Sequence, residues 1–344
     1  DGRRVARGYG ILQPHVATPL CAPEDLTHYH WLFSGQSGID PYSIASSEVY
    51  QDLFGEGTFT GKGLLDVQAV HAVLGGRLPA GQVLSHDLLE GSLARCATVT
   101  DVSVLEEAPF HADVAASRVH RWTRGDWQLL PILLRPRRYP IRAINRWKML
   151  DNLRRSLVAP ASLGLLIAAL ATDVVSPWKA LALVAVAFVA GPLMGTIAGV
   201  RPSRDDVARG HFYRQWVGDL RRVLLSGTWL VAQLLQLALM AIDAIVRALW
   251  RTFVSRRRLL EWTTAAAAQA SASTDLPTLL RKHWGVELAG VGLWAALMAL
   301  RTPHPLLATL LCAAWTLSPV WTWWVSRPRP ARRADALSAA DRAY

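Results

Sequence analysis

Apolar and polar positions follow two different regimes along the chain. Through about residue 155, short apolar runs alternate with polar and glycine-rich stretches, as expected of a soluble α/β domain. Tyr9-Gly10-Ile11-Leu12-Gln13 reads as a strand running into Pro14, and residues 98–105 alternate as a half-buried strand does. Residues 43–54 are expected to form a helix and residues 55–63 a glycine-rich loop. Ser85 is placed to cap a helix reaching about Arg95. Residues 113–134 are helical in pattern, and Pro136 breaks them.

Beyond Arg155 the apolar runs lengthen. Residues 157–175 and 180–200 are each about 20 positions long, enough to cross a hydrocarbon core of roughly 30 Å. Two further spans are expected at 286–300 and 305–325, the last ending in an interfacial belt of Trp321, Trp323 and Trp324. Residues 223–250 are also apolar, but Gln233, Gln236, Asp243 and Arg247 fall on one narrow helical stripe. Arginines flank both ends, Arg221 and Arg222 before and Arg256 to Arg258 after. One crossing would put a basic cluster on the outer side, so an interfacial or re-entrant amphipathic helix is expected there. Residues 263–274 read as an Ala/Ser/Thr-rich linker, and residues 327–344 as the start of a linker to a further domain.

Composition supports this reading. Of 344 residues 51% are hydrophobic and 15 are Trp, and the net charge is +11. The charge is uneven: residues 1–115 hold 6 Lys/Arg against 14 Asp/Glu, whereas residues 118–155 hold 11 Lys/Arg and two acids. A nucleic-acid binder has no use for long apolar runs beside its basic stretch, whereas a membrane protein carries such a stretch on its cytoplasmic side. Nucleic acid is therefore excluded as a partner and membrane lipids are expected. Cys21, Cys96 and Cys312 have no metal-ligand spacing, which fits a reducing cytoplasm for the first part. The chain starts at Asp1 with no visible signal peptide and is expected to be part of something longer.

Three motifs carry candidate chemistry. Leu84-Ser85-His86-Asp87-Leu88-Leu89-Glu90-Gly91 places Asp87 in the first turn of a helix, where the helix dipole favours an ionised carboxylate. Such a group can accept a proton from a sugar hydroxyl; an ordinary acidic first turn would look the same. Arg118-Val119-His120-Arg121-Trp122 offers guanidinium forks for phosphate and an indole face for a pyranose, or else a basic helix for lipid headgroups. Residues 54–63, with Gly55, Glu56, Gly57 and Lys62, suggest a phosphate loop but fail the Walker pattern. Glu56 stands where its first glycine belongs, and Gly63 where Ser or Thr belongs. These glycines are expected to let backbone approach a sugar chain.

In this order, and followed directly by apolar runs, the motifs resemble processive family-2-type glycosyltransferases such as cellulose synthase. The Gln-x-x-Arg-Trp signature of those enzymes is matched by Arg118-x-x-Arg121-Trp122, with Arg118 in place of the glutamine. Gln13-Pro14 resembles the strand end before their interfacial region. The chain is more similar still to the cyclic β-1,2-glucan synthases. That similarity runs through Tyr9 to Pro14, Val49-Tyr50-Gln51-Asp52-Leu53-Phe54-Gly55-Glu56-Gly57, Leu84 to Gly91, Arg124-Gly125-Asp126-Trp127-Gln128, Asp151-Asn152-Leu153-Arg154-Arg155 and Leu259-Leu260-Glu261-Trp262-Thr263.

The resemblance implies α/β plus α-helical membrane architecture: residues 1–155 as the C-terminal half of a cytoplasmic GT-A domain, and residues 156–326 as a transmembrane bundle. It implies a multi-pass protein of the bacterial inner membrane that builds β-1,2-glucan from UDP-glucose with inversion. Asp87 would be the base, and Arg121 with Arg118 would hold the donor pyrophosphate. Trp122, Gly55, Glu56 and Gly57 would meet the acceptor glucan, with His86, Gln13 and Lys62 in support. The family's Asp-x-Asp metal motif occurs nowhere in the chain, so ligands for Mg²⁺ or Mn²⁺ are expected upstream of Asp1 and none within it. The family's glucoamylase-like and phosphorylase-like modules would follow Tyr344. A linear-glucan or cellulose-type synthase, or a non-catalytic anchoring or transport module, are the rival readings.

Overall fold

The computed structural model describes residues 4–19, 26–33, 43–44, 47–78, 81–202, 208–272 and 275–329. The described part is mostly helical, with one small mixed sheet. Its first portion runs β1 (Ile11–Ala17), α1 (His28–Phe33), β2 (Ser43–Ile44), β3 (Ser47–Glu48), α2 (Val49–Phe54), β4 (Leu64–Leu65), α3 (Val67–Leu74), α4 (Asp87–Ala94) and β5 (Cys96–Leu105). Strand β1 is central, pairing antiparallel to β4 and parallel to β5, with a register shift between Pro14 and His15. Proline has no N–H to give a ladder, which suits it to such an irregular position. Ile11 and Gln13 are buried while Leu12 is 37% exposed, the alternation expected of a strand with one covered face.

Helices follow to the end: α5 (Ala112–Gln128), α6 (Leu130–Leu133), α7 (Ala143–Ser156), α8 (Val158–Ala171), α9 (Pro177–Ala198), α10 (Arg209–Ala232) and α11 (Leu234–Trp250). They continue with α12 (Ala265–Ala270), α13 (Leu276–Ala299), α14 (Pro305–Thr316) and α15 (Ser318–Val325). Two apolar cores result. One gathers Ile11, Phe59, Leu89, Cys96, Leu129 and Met149 between the sheet, α4 and α7. The other gathers Leu166, Leu170, Val184, Leu234, Ala308 and Trp315 from α8, α9, α11 and α14. The α/β part of the expected architecture is thus present as a small three-stranded mixed sheet with its helices.

Several sequence expectations are corrected. Where one helix is expected over 43–54, Ser43–Ile44 pairs antiparallel with Ser47–Glu48 and α2 begins only at Val49; Glu48 caps that helix by accepting from Gln51 N. Gln13-Pro14 lies inside β1, not at its end. The N-cap of α4 is His86, with no side-chain cap bond, so Ser85 does not cap it. Of the four expected spans, only α9 is by itself long and apolar enough to cross a bilayer. The count rises to four if bent pairs are single spans: α7 with α8 (41°), α10 with Leu234–Ser255 (65°), and α14 with α15 (53°). Helix α13 is longer than the expected 286–300 and is not among these, as Arg281, Lys282 and Glu287 lie in its first half. Residues 330–344 of the expected linker lie outside the described residues.

The expected amphipathic helix at 223–250 is instead broken at Gln233. Its buried amide Nε2 donates to Ser318 O at 3.0 Å and Thr322 Oγ1 at 3.2 Å, opposite the break between α14 and α15. Farther along the stripe, Asp243 meets His120 Nε2 of α5 at 2.8 Å and Arg247 Nε at 2.7 Å. Gln233 and Asp243 are thus paired within the protein, as an apolar surrounding favours, whereas Gln236 Oε1 is buried without a hydrogen bond.

α5 packs against α7 on one side and against α11 and α15 on the other. Its Asp113 pairs with Lys282 and His283 of α13, and Arg124 donates to Glu261 O. Gln128 accepts from Leu84 N at 2.9 Å and donates to Leu259 O at 3.0 Å. Against the segment before α4 it comes so close that a Cβ on Gly125 would collide with Ser85 Cβ and lie 3.2 Å from the Ser85 backbone nitrogen. Gly125→Ala is therefore expected to destabilise the fold by about 1–3 kcal/mol through overpacking, read as a lowered thermal midpoint in detergent. Gly292→Ala, at a position with open space, should stay within about 0.5 kcal/mol of wild type. Equal behaviour of the two variants would contradict the close contact.

Candidate functional site

The motifs converge on one cleft of about 560 Å³ between the 58–62 loop, the start of α4, α5 and α7. Asp87, Lys62, Arg118, Arg121 and Trp122 all line it. They come from three separate stretches of chain, and the Gly125–Ser85 contact sets how far apart the α4 and α5 walls stand.

Asp87 lies at the first turn of α4 with its carboxylate against the backbone of Gly61. A Cβ at Gly61 would sit 2.9 Å from Asp87 Oδ1, and Gly61 has φ +86, a region that side-chain-bearing residues rarely adopt. Burial pushes the Asp87 carboxyl above its ordinary range, and Glu90 adds to that; His86, Lys62 and Arg121 oppose it. The group is thus a stronger base than a free aspartate while keeping cations near its anionic form. His86 does not line the cleft: its Nδ1 bonds Glu90 Oε1 at 2.9 Å, which raises its pKa. It sits 3.9 Å from Asp87 Oδ1 and acts on the cleft through charge alone.

Gln13 is buried beneath the lip of the cleft, where its Oε1 accepts from Thr60 N at 2.9 Å and Thr60 Oγ1 at 3.2 Å. Lys62 pairs with Glu106 at 2.6 Å, and the same carboxylate takes Arg118 at 2.6 Å. Arg118 also lies over the Trp122 ring, 5.0 Å from its centroid, so it already has an anion and covers one indole face. Arg121 projects into the cleft from over the Trp262 ring at 4.7 Å. Burial and Arg118 lower its pKa, but a guanidinium stays charged at any working pH.

The 55–57 segment does not meet the cleft. Glu56 is completely buried, its carboxylate held by Arg95 at 2.9 Å and by Arg142, with Asn145 at 3.5 Å. Its backbone oxygen and that of Gly57 accept from Lys148 Nζ at 2.9 and 3.0 Å. No sugar can reach a carboxylate so enclosed, and removing it would leave charged arginines unpaired. Gly55 closes α2 in the left-handed region, and Gly57 donates to Cys96 O. These three residues form the foundation that carries the cleft's lip, not an acceptor surface.

The cleft also contains residues to which the sequence motifs gave no chemical role. Asp126 accepts from Asn152 Nδ2 at 3.1 Å, and burial pushes its carboxyl up to about 6 against the opposing pull of Asn152 and Arg155. Helical spacing could have found it: residues 118, 122 and 126 form one i, i+4 stripe on α5. Lys148 and Asn152 make the matching stripe on α7. His120, inside the Arg-x-x-Arg-Trp motif, points away from the cleft to Asp243 of α11.

The wall opposite Asp87 therefore presents a cation and an aromatic ring, while Asp87 presents a partly desolvated carboxylate. Such a cleft can bind a sugar ring, hold an anionic leaving group and accept a proton. No family model matches the chain. It is 40% identical over 346 aligned positions, 99% of its length, to the Cyclic beta-(1,2)-glucan synthase NdvB of Rhizobium meliloti (strain 1021). The chain spans 12% of the length of that relative. The resemblance carried by the motifs is thereby borne out along almost the whole chain.

Proposed function

We propose that this chain supplies the acceptor-side wall and the general base of a multi-pass inner-membrane glucosyltransferase that builds β-1,2-glucan from UDP-glucose. Residues 1–155 would complete a cytoplasmic GT-A domain whose donor half lies outside the chain. The observation that carries the reading is that Asp87, Arg121 and Trp122, distant in sequence, line one cleft.

In the proposed step the 2-hydroxyl oxygen of the acceptor glucose attacks C1 of the donor glucose. The C1–oxygen bond to UDP breaks, its electron pair leaves with the diphosphate, and Asp87 takes the hydroxyl proton. Attack opposite the leaving group inverts the α-linked donor to a β product. Arg121 offsets charge developing on the diphosphate, and Trp122 supports the acceptor ring on the face that Arg118 leaves free. Arg118, engaged with Glu106, holds Trp122 in place and reaches the phosphate only at second hand.

The divalent cation implied by the family, Mg²⁺ or Mn²⁺, has no fitting donor set among the described residues. The one trio within ligating reach is His86, Asp87 and Glu90. His86 and Glu90 already satisfy each other, and ligation by Asp87 would consume the lone pair the reaction needs. The ion's ligands are proposed to lie outside this chain. An anchoring module built on a basic lipid-facing helix is less well supported, because Arg118 and Arg124 of α5 are both engaged within the protein.

In the intact protein, Asp87→Asn is expected to cut glucose incorporation from UDP-glucose by about 10²–10⁴-fold while membrane insertion is retained. Because the anionic form is the base, activity should fall as pH drops through the raised Asp87 pKa. Lys62→Met, which removes an opposing cation, should move that acid limb to higher pH. Incorporation within threefold of wild type in Asp87→Asn would remove the residue from the mechanism. Arg121→Ala is expected to raise the KM for UDP-glucose as well as lower kcat, whereas Trp122→Ala should mainly shorten the glucan. Normal UDP binding and chain length in both would return α5 to a structural role.

A further inference from the structure

A second cavity, of about 830 Å³, opens between α1, α10 and α15, away from the cleft. One end is cationic: among the described residues, Arg221, Arg222 and Arg329 line it with one acid, Asp219, which stands 3.9 Å from Arg222. The other end is carbon, formed by Leu32, Leu225, Trp229, Ala232 and Trp321. The two ends meet where α10 changes character, from polar sequence through Arg222 to apolar sequence from Val223 onward. In a helix that meets a bilayer, such a change marks the headgroup level.

Which ligand the cavity fits follows from what its side chains are already doing. Trp31 holds two guanidiniums, Arg329 at 4.4 Å and Arg222 at 5.4 Å from its ring centroid, and Trp324 is stacked on His28 at 5.2 Å. The faces of Trp31 and Trp324, which could otherwise take a pyranose, are therefore occupied. The Nε of Arg222 and the Nε1 of Trp229 are buried without a hydrogen bond, one at each end. Buried donors of this kind call for an acceptor. A free phosphate would satisfy the arginines and leave the carbon walls uncovered, whereas an amphipathic anion would meet both ends.

We infer that this cavity is a binding site for an anionic phospholipid, its phosphate against Arg222 and Arg329 and an acyl chain along Leu225, Trp229 and Ala232. The site stands on its own residues and does not depend on the proposed chemistry of the cleft. Occupancy would brace α1 and the Arg327–Arg329 segment, which pair through the Thr27–Pro328 bridge, against α10.

The test is native mass spectrometry of the intact protein in detergent, titrated with dioleoyl-phosphatidylglycerol or dioleoyl-phosphatidylcholine. Phosphatidylglycerol is expected to be retained about tenfold more tightly, because both lipids carry the phosphate but phosphatidylcholine also brings a cation to the arginine end. The double substitution Arg222→Gln with Arg329→Gln should erase that preference. Thr228→Trp, which fills the cavity and leaves every arginine in place, should weaken retention of both lipids. Millimolar inorganic phosphate should displace neither. Equal retention of the two lipids by wild type, wild-type retention by either folded variant, or displacement by inorganic phosphate would each overturn the inference. The wild-type lipid contrast and phosphate competition decide the matter even where a variant fails to fold.

Discussion

The cleft depends on one close approach, that of Gly125 in α5 to the backbone of Ser85. Ser85 stands two residues before Asp87, and Gly125 lies one turn beyond Arg121 and Trp122. With no side chain on Gly125, α5 packs directly against Ser85 at the α4 entrance, and Asp87 is held across from Arg121 and Trp122. A side chain there would push the two walls apart, and a shift near 1 Å in reacting groups can cost about a hundredfold in rate. Packing density and chemistry thus meet at one glycine.

The same helix joins the cleft to the apolar helices. One face carries Arg118, Trp122 and Asp126 toward the cleft, and the other sends His120 to Asp243 and Arg124 to Glu261. Near its start Asp113 is gripped by Lys282 and His283 of α13, which hold its carboxyl low despite burial. A helix bonded on both sides transmits position: movement of α11 or α13 would be felt at Arg121. Beneath the cleft, Glu56 joins the glycine-rich loop to Arg95 and to α7 through buried ionic contacts, so the lip carrying Thr60 and Lys62 is equally constrained.

Much of this was legible in the sequence, because the motif residues Asp87, Arg121 and Trp122 are of types with few uses in one neighbourhood. The strands near 11 and 98 and the long helix after 112 followed from alternation and helical periodicity. What the pattern could not give was the partner of each charge. Glu56 looked like a sugar contact in a glycine-rich loop, yet its role was set by Arg95, 39 residues away, and Arg142, 86 residues away. Periodicity ran unbroken through residues 223–250, while the break at Gln233 arises from a tertiary bond to Ser318 that no local pattern encodes. Asp126 carries no assigned role in the sequence reading although its i, i+4 spacing from Trp122 is visible, because a carboxylate among arginines reads as charge balance until burial shows otherwise.

The central claim is that Asp87 and the Arg121–Trp122 pair are opposite walls of one reacting site. Its most direct test is an experimentally determined structure of the intact protein bound to UDP and a β-1,2-linked glucose oligomer. The acceptor 2-hydroxyl is expected about 2.6–3.2 Å from an Asp87 carboxylate oxygen, with the terminal ring on Trp122 and the diphosphate on Arg121. A glucan seated elsewhere, with Asp87 more than one water molecule from any sugar hydroxyl, would contradict the account.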